Sequence, residues 1–476
     1  MKEMTNGLNP ACIWLASLIL AFSAAFTFAA DPPETPLPSL WTRKTGDDWP
    51  QFLGPNRDSK SAETGILTKW PEAGPRLVWS RKLGTGYGIG SISRGRFYQF
   101  DKLSNKATLL CLQAETGEEL WRFAYDSDYN DLYGYNDGPR CSPLIDGNRV
   151  YIYGVEGKLH CLHAETGKLI WEVDTVAKFG VIQNFFGVGS TPIIEGNLLI
   201  VMVGGSAAEA KNIPPGQLDR VTGNGSAIVA FDKLTGEVRY KISDELASYA
   251  SLQAATIEGR RWGFAFCRGG LLGFEPASGK IDFHYPWRDA KLESVNASTP
   301  VVVGKQVLIS ETYGVGAALL EVSPGKYSEV WNDSKRGRAK ALQTHWMTPI
   351  AHDGFVYGAS GRHTENAELR CVEWSTGKVM WSVPNTTRAS LLYVAGHFVM
   401  LGEYGNLVLF RATPEKFDVV AEVLLLDKEA KPLVKNAEPR PLLKYPCWAA
   451  PILSHGLLYL RGEDRLLCVE LIPVKE

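Results

Sequence analysis

The stretch Ala114-Glu115-Thr116-Gly117, ended by Trp121, returns as Ala164-Glu165-Thr166-Gly167 with Trp171 and as Ser375-Thr376-Gly377 with Trp381. Each is preceded by an apolar run around a cysteine (Cys111, Cys161, Cys371). Weaker copies span Ile228 to Tyr240, Leu272 to Phe283, Ala318 to Trp331 and Leu407 to Val420, and a half-copy runs from Arg465 to Leu471. Two alternating apolar runs joined by a Thr-Gly turn form a hairpin. Upstream of most copies lies a second hairpin, marked by Pro143 with Gly147, Pro192 with Gly196, Pro300 with Gly304, Pro349 with Gly354 and Pro451 with Gly456. Two hairpins make a four-stranded unit, and units recurring roughly every 40–55 residues predict a β-propeller, in which radial stacking buries the faces of each blade.

Counting strands predicts eight blades. Seven units carry a fourth strand, near Trp121, Trp171, Tyr240, Phe283, Trp331, Trp381 and Val420, whereas Cys447 to Leu471 supplies only three strands. The segment Arg76 to Leu83 carries Trp79 without a preceding turn, so an N-terminal strand is expected to complete the last blade and remove its open edge. The fold class is therefore all-β, a single eight-bladed propeller over residues 76–476. A length of 476 residues would by itself suggest about three domains; the repeat leaves room for one. The 47 Gly and the 14 Trp, 18 Tyr and 19 Phe are what many tight turns and short strands consume.

The apolar run Ile13 to Ala30, ending in Ala29-Ala30 before Asp31-Pro32-Pro33, reads as a signal peptide or N-terminal anchor (1–30), followed by an N-terminal extension (31–75). It places the chain in the periplasm or outside the cell, touching a membrane only through that segment if it is uncleaved. Cys12 precedes the run and is badly placed for lipid attachment. The other seven cysteines include no CxxC and no adjacent pair, against a disulfide framework or zinc site. Fifty basic against 52 acidic residues leave a net charge of -2 and no field for nucleic acid. No GxSxG, HExxH, phosphate-loop or EF-hand motif occurs.

The repeat core Ala164 to Trp171 resembles that of pyrroloquinoline quinone (PQQ)-type propellers, a family that includes quinoprotein alcohol dehydrogenases and outer-membrane assembly propellers. Trp49-Pro50-Gln51-Phe52-Leu53-Gly54-Pro55-Asn56-Arg57-Asp58 and Gly138-Pro139-Arg140-Cys141-Ser142-Pro143 look like segments of exported bacterial members. The resemblance covers about residues 49 to 471 and implies the fold; one superfold hosts many functions. For the enzymes it implies PQQ and calcium as cofactors, but the chain has neither their adjacent cysteine pair nor a CxxCH haem motif. No metal ligand set is assigned. The expected function is a non-catalytic, monomeric binding or scaffold module of the bacterial envelope, with a protein or glycan as partner. The alternative is a quinoprotein oxidoreductase acting on an alcohol or sugar.

Aligning the units nominates a funnel where blade-connecting loops meet the first strands. Arg140, Asn296, His345, Trp346 and Trp448 stand at strand starts, and Tyr133, Tyr135, Asn184, Trp287 and Arg288 in the loops before them. The second strands end in Glu156, Arg268, Glu311, Glu403 and Arg461, read as a solvated rim of ion pairs with ligand recognition as the alternative. Trp346 and Trp448 read first as packing residues, and Asn296 with Glu311 as the candidate oxygen ligands beside a quinone. The insertion Gly204 to Asn224 and the charged stretch Leu426 to Lys444 read as loops.

Overall fold

The computed structural model describes residues 36–427 and 440–474. The apolar run, Cys12 and the middle of the charged stretch lie outside them. Among the described residues, eight antiparallel four-stranded blades follow one another along the chain, the seventh extended by the parallel strand Lys60–Ser61. Blades 1 to 7 occupy 91–126, 144–174, 193–242, 253–286, 301–332, 350–384 and 389–424. Blade 8 combines Ile452–Ser454, Leu457–Arg461 and Arg465–Glu470 with Leu77–Lys82 as its fourth strand. The expected closure is thus observed, with Trp79 opposite Cys468. A buried pair, Arg461 with Asp101 at 2.7 Å, ties blade 8 to blade 1 across the same seam.

Strand burial follows from the stacking. In blade 1, Arg96–Leu103 and Lys106–Gln113 are buried almost throughout, because neighbouring blades cover both faces, while Glu119–Asp126 alternates half-buried and exposed residues. Pro143, Pro192, Pro300, Pro349 and Pro451 each stand immediately before a first strand, where a missing N–H costs no ladder bond. The third and fourth strands slip register near the recurrent aromatic position in every blade, as at Cys111/Leu112, Leu169/Trp171 and Leu77/Trp79. Such a bulge turns the outer strand.

The Thr-Gly turn and the Trp of the repeat prove to be two halves of a contact between blades. Gly117, Gly167, Gly236 and Gly377 lie against the indoles of Trp79, Trp121, Trp171 and Trp331, each on the preceding blade. The indoles donate hydrogen bonds onward, Trp79 to the Ala114 carbonyl (2.9 Å), Trp171 to that of Lys233 (3.2 Å) and Trp331 to that of Trp374 (2.8 Å). In blade 3, Tyr240 replaces the indole and its hydroxyl donates to the Pro276 carbonyl at 2.7 Å.

Residues 47–63 run across one end of the central channel. Trp49 bridges to Ile92 in blade 1, the Pro50 carbonyl accepts from Ile145 in blade 2, and the Arg57 carbonyl accepts from the Gln253 amide in blade 4. On the opposite side, Lys60–Ser61 pairs in parallel with blade 7, and the Glu63 carboxylate accepts from His455 and Gly456 in blade 8. Blades 4 and 8 face each other in a ring of eight, so the segment crosses the axis. Trp49 and Leu53 are buried there. The Gly204 to Asn224 insertion is more ordered than a plain loop: it contains two short 3-10 turns, Ala208–Asn212 and Leu218–Arg220.

Candidate functional site

The channel holds a cavity of about 450 Å³ to which all eight blades contribute, floored by Phe52, Leu53 and Ser59 of the crossing segment. Its walls follow one structural position, the residue six before the end of each first strand, as Tyr87 stands to Ser93 and Trp448 to Ser454. Blades 6, 7, 8, 1 and 2 place Trp346, Arg388, Trp448, Tyr87 and Arg140 at this level. Blades 3, 4 and 5 place Gly189, Ser251 and Ala297 there. Bulky side chains therefore fill five of the eight positions, and beside the three small ones the connecting loops bring Phe186, Tyr249 and Tyr313 to the wall.

The bulky positions are rigidly held. Trp346 and Trp448 meet with ring centroids 4.4 Å apart, and Tyr87 lies 4.8 Å from Trp448. The Arg388 guanidinium sits 4.6 Å from the Trp346 ring and 5.2 Å from Trp448, and reaches Glu403 through Nη2 (2.7 Å) and Nε (3.0 Å). Trp448 Nε1 donates to the same carboxylate at 3.1 Å. Burial pushes the Glu403 carboxyl up, but the bonds from Arg388 and Trp448 outweigh it and hold it below the ordinary range. Arg140 is fixed by Asp131 at 2.7 Å and by the carbonyls of Gly138 and Asn136. At the mouth, Arg362 lies over the Tyr313 ring at 4.4 Å, with Glu293 its nearest carboxylate at 3.9 Å.

His345 is part of this wall, 3.2 Å from the Tyr313 hydroxyl. Desolvation first, then the charges of Arg388 and Arg362, lower its pKa to about 3, so it is a neutral imidazole at ordinary pH. The unfolded chain takes up that proton near pH 6.5 and the native chain only near 3, so stability from this group is complete above 6.5 and is lost as pH falls toward 3. Glu63 and Asp58, whose carboxyls burial pushes up, act in the opposite direction. The share of His345 is therefore read against a variant. Between pH 6 and 4, wild-type stability minus that of His345→Gln is expected to fall by up to about 1.4 kcal/mol per pH unit, measured by urea midpoints. Parallel profiles would contradict it.

Of the residues nominated from sequence, Tyr135, Arg140, His345, Trp346 and Trp448 line the cavity, and Glu403 stands directly behind it. The rest are engaged elsewhere. Arg268 and Arg288 converge on Asp219, at 2.8 and 2.9 Å, and pin the Gly204 to Asn224 insertion. Arg461 donates to the Gly86 and Gly88 carbonyls at the seam. Asn184 holds its own loop through the Phe185 N–H and the Ala247 carbonyl, and Trp287 Nε1 donates to the Gly316 carbonyl. The solvated rim is corrected: Arg268, Glu311, Glu403 and Arg461 are buried, because the blade connections fold over the strand ends and supply fixed partners. Tyr87, Arg388 and the floor were not nominated from sequence, although Tyr87 and Arg388 occupy the same repeated position as Arg140.

The family model described as outer membrane protein assembly factor BamB matches residues 131–383. The chain belongs to that family. A BamB of Shewanella oneidensis is 23% identical over 175 residues, covering 33% of this chain and 41% of the relative. The chain thus spans less than half the length of that curated relative. Among solved structures, quinohemoprotein alcohol dehydrogenase from Comamonas testosteroni has a TM-score of 0.63 at 13% identity, over 90% of this chain and 81% of that one. BamB from Moraxella catarrhalis has a TM-score of 0.52 at 12% identity, over 84% and 98%. At such identities the likeness is one of fold.

The quinone and calcium set of the dehydrogenases does not assemble in this BamB-family propeller from the residues nominated for it. The Glu311 carboxylate accepts from the backbone N–H groups of Tyr313, Gly314, Val315 and Gly316, which occupies both its oxygens. The Asn296 amide nitrogen donates to the Cys267 and Trp287 carbonyls, while its Oδ1, the atom a cation would need, is buried without a hydrogen-bond partner. Neither residue lines the cavity.

Proposed function

We propose that this chain is a non-catalytic binding or scaffold module of the bacterial cell envelope, exported by its N-terminal segment and engaging its partner through the open mouth of the channel. The observation that carries the reading is that the charged groups in the neck are committed to internal partners: Arg388 to Glu403, and Arg140 to Asp131. They build a rigid surface. A proton-transfer role needs a group whose pKa lies near the working pH, and His345, with a pKa of about 3, is too weak a base. Membership of the BamB family supports the envelope setting.

The test is titration of the purified protein with PQQ and calcium, followed by dye reduction with alcohols and sugars. We expect no stoichiometric change in quinone absorbance and no dye reduction. Stoichiometric uptake of the quinone together with turnover would overturn the proposal in favour of an oxidoreductase.

A further inference from the structure

The blind end, the ring of side chains and the balance of charge together restrict what the channel can hold. Phe52 and Leu53 close the floor, so a polymer cannot thread through and only a chain end or a short molecule can be seated. The wall carries Tyr87, Trp346 and Trp448 together with Phe186, Tyr249 and Tyr313, with small residues at the repeated position of three blades. Indole and phenol faces pack against flat, C–H-rich surfaces. Between them stand Thr191, Ser251, Thr348 and Ser390; the first three hydroxyls each accept from a backbone N–H, which leaves the O–H to donate to a ligand, and the Ser390 hydroxyl donates to the Trp448 carbonyl, which leaves its lone pairs to accept.

Charge narrows the class further. Arg140 and Arg388 are each neutralised by a buried carboxylate, Asp131 and Glu403. Arg362 at the mouth has Glu293 at 3.9 Å, and Glu365 joins the same wall. His345 is neutral. Among the described residues, no uncompensated cation faces the neck to repay the desolvation of a polyanion such as the polycarboxylate quinone. Aromatic platforms, hydroxyl groups with hydrogen-bonding capacity to spare and internally paired charges suit a neutral sugar better than an anion, or than an apolar peptide side chain, which would leave that capacity unused.

We propose that the blind channel is a binding site for a neutral saccharide, taken as a short oligosaccharide or as the end of a longer glycan. This rests on the reading of the chain as a binding module and names the ligand class of that site. Titration of full-length protein with maltotriose, cellotriose and N-acetylated chitotriose, followed by tryptophan fluorescence and calorimetry, tests it, with trigalacturonate, PQQ and a phenylalanine-rich tetrapeptide as competitors. At least one neutral trisaccharide is expected to bind saturably and more tightly than any of those three competitors. Ala297→Trp, which adds bulk at one of the small positions of the ring, is expected to weaken binding tenfold or more, and Trp346→Ala likewise, with the thermal transition of each retained as evidence of folding. A long polymer of the bound sugar should compete in proportion to its chain ends; competition in proportion to its mass would overturn end recognition. Absence of neutral-saccharide binding at millimolar concentration, or tighter binding of trigalacturonate or of the tetrapeptide, overturns the ligand class and leaves the binding-module reading standing. PQQ binding with turnover overturns both.

Discussion

Trp79→Ala is expected to lower the stability of the whole propeller by about 3–5 kcal/mol, the usual cost of truncating a buried aromatic. The indole is 9% exposed, packs 5.9 Å from the Tyr459 ring, lies beneath Gly117 of blade 1 and donates to the Ala114 carbonyl. It is also the anchor of a strand that arrives from the far end of the chain, so its loss weakens closure as well as packing. Without that strand the edge Arg465–Glu470 would present unpaired backbone groups. Guanidinium denaturation provides the measurement, with Leu77→Ser on the same strand as control, since Leu77 is 43% exposed and should cost less than about 1 kcal/mol. Equal effects of the two substitutions would show that the strand is dispensable.

Gly167→Val should be nearly as damaging, at about 2–5 kcal/mol. Two costs combine. The residue has φ of 70°, a left-handed conformation that penalises an L side chain by about 1–2 kcal/mol. A Cβ would also stand 2.4 Å from the Trp121 ring, and overpacking of this kind adds about 1–3 kcal/mol. Gly196→Val separates the two. Gly196 has φ of 57° with nothing within 4 Å of its Cβ position, so it bears the conformational cost alone. The difference between the variants in urea midpoint reads the strength of the contact between blades. If they were equally destabilised, the Gly and Trp of the repeat would be independent turn and core residues.

These contacts explain why so much of the fold is legible from the repeat. Ala114 to Trp121 and Ala164 to Trp171 look alike because each glycine must meet the indole of the blade before it. The cavity wall was partly legible for the same reason. Arg140, Trp346 and Trp448 stand three residues before Pro143, Pro349 and Pro451, and Ala297 stands three before Pro300. Asn296 was nominated where Ala297 faces the channel. Side chains alternate along an extended segment, so an error of one residue turns the reading from the channel into the blade. Tyr87 and Arg388 have Gly90 and Leu391 where a proline would mark the position, and no local pattern pointed to them.

The floor had a sequence signature and no legible role. Trp49 to Asp58 is conspicuous, but it occurs once and has no counterpart in any blade. Its place depends on hydrogen bonds to Ile145, Gln253 and Tyr393, three residues from separate parts of the chain.

By itself, then, the sequence determined the number of blades, their four strands and the closure by Leu77–Lys82, because each of these rests on contacts within a repeat or between neighbouring repeats. Only the tertiary structure decided that the channel is blind and which side chains share its neck, five bulky positions in consecutive blades and three small ones flanked by loop aromatics. Each blade contributes one side chain to that ring, and residues as distant in sequence as Tyr87 and Trp448 become neighbours only when the ring closes. Whether a neighbouring side chain enters the channel or the blade is then set by backbone alternation, which composition does not record.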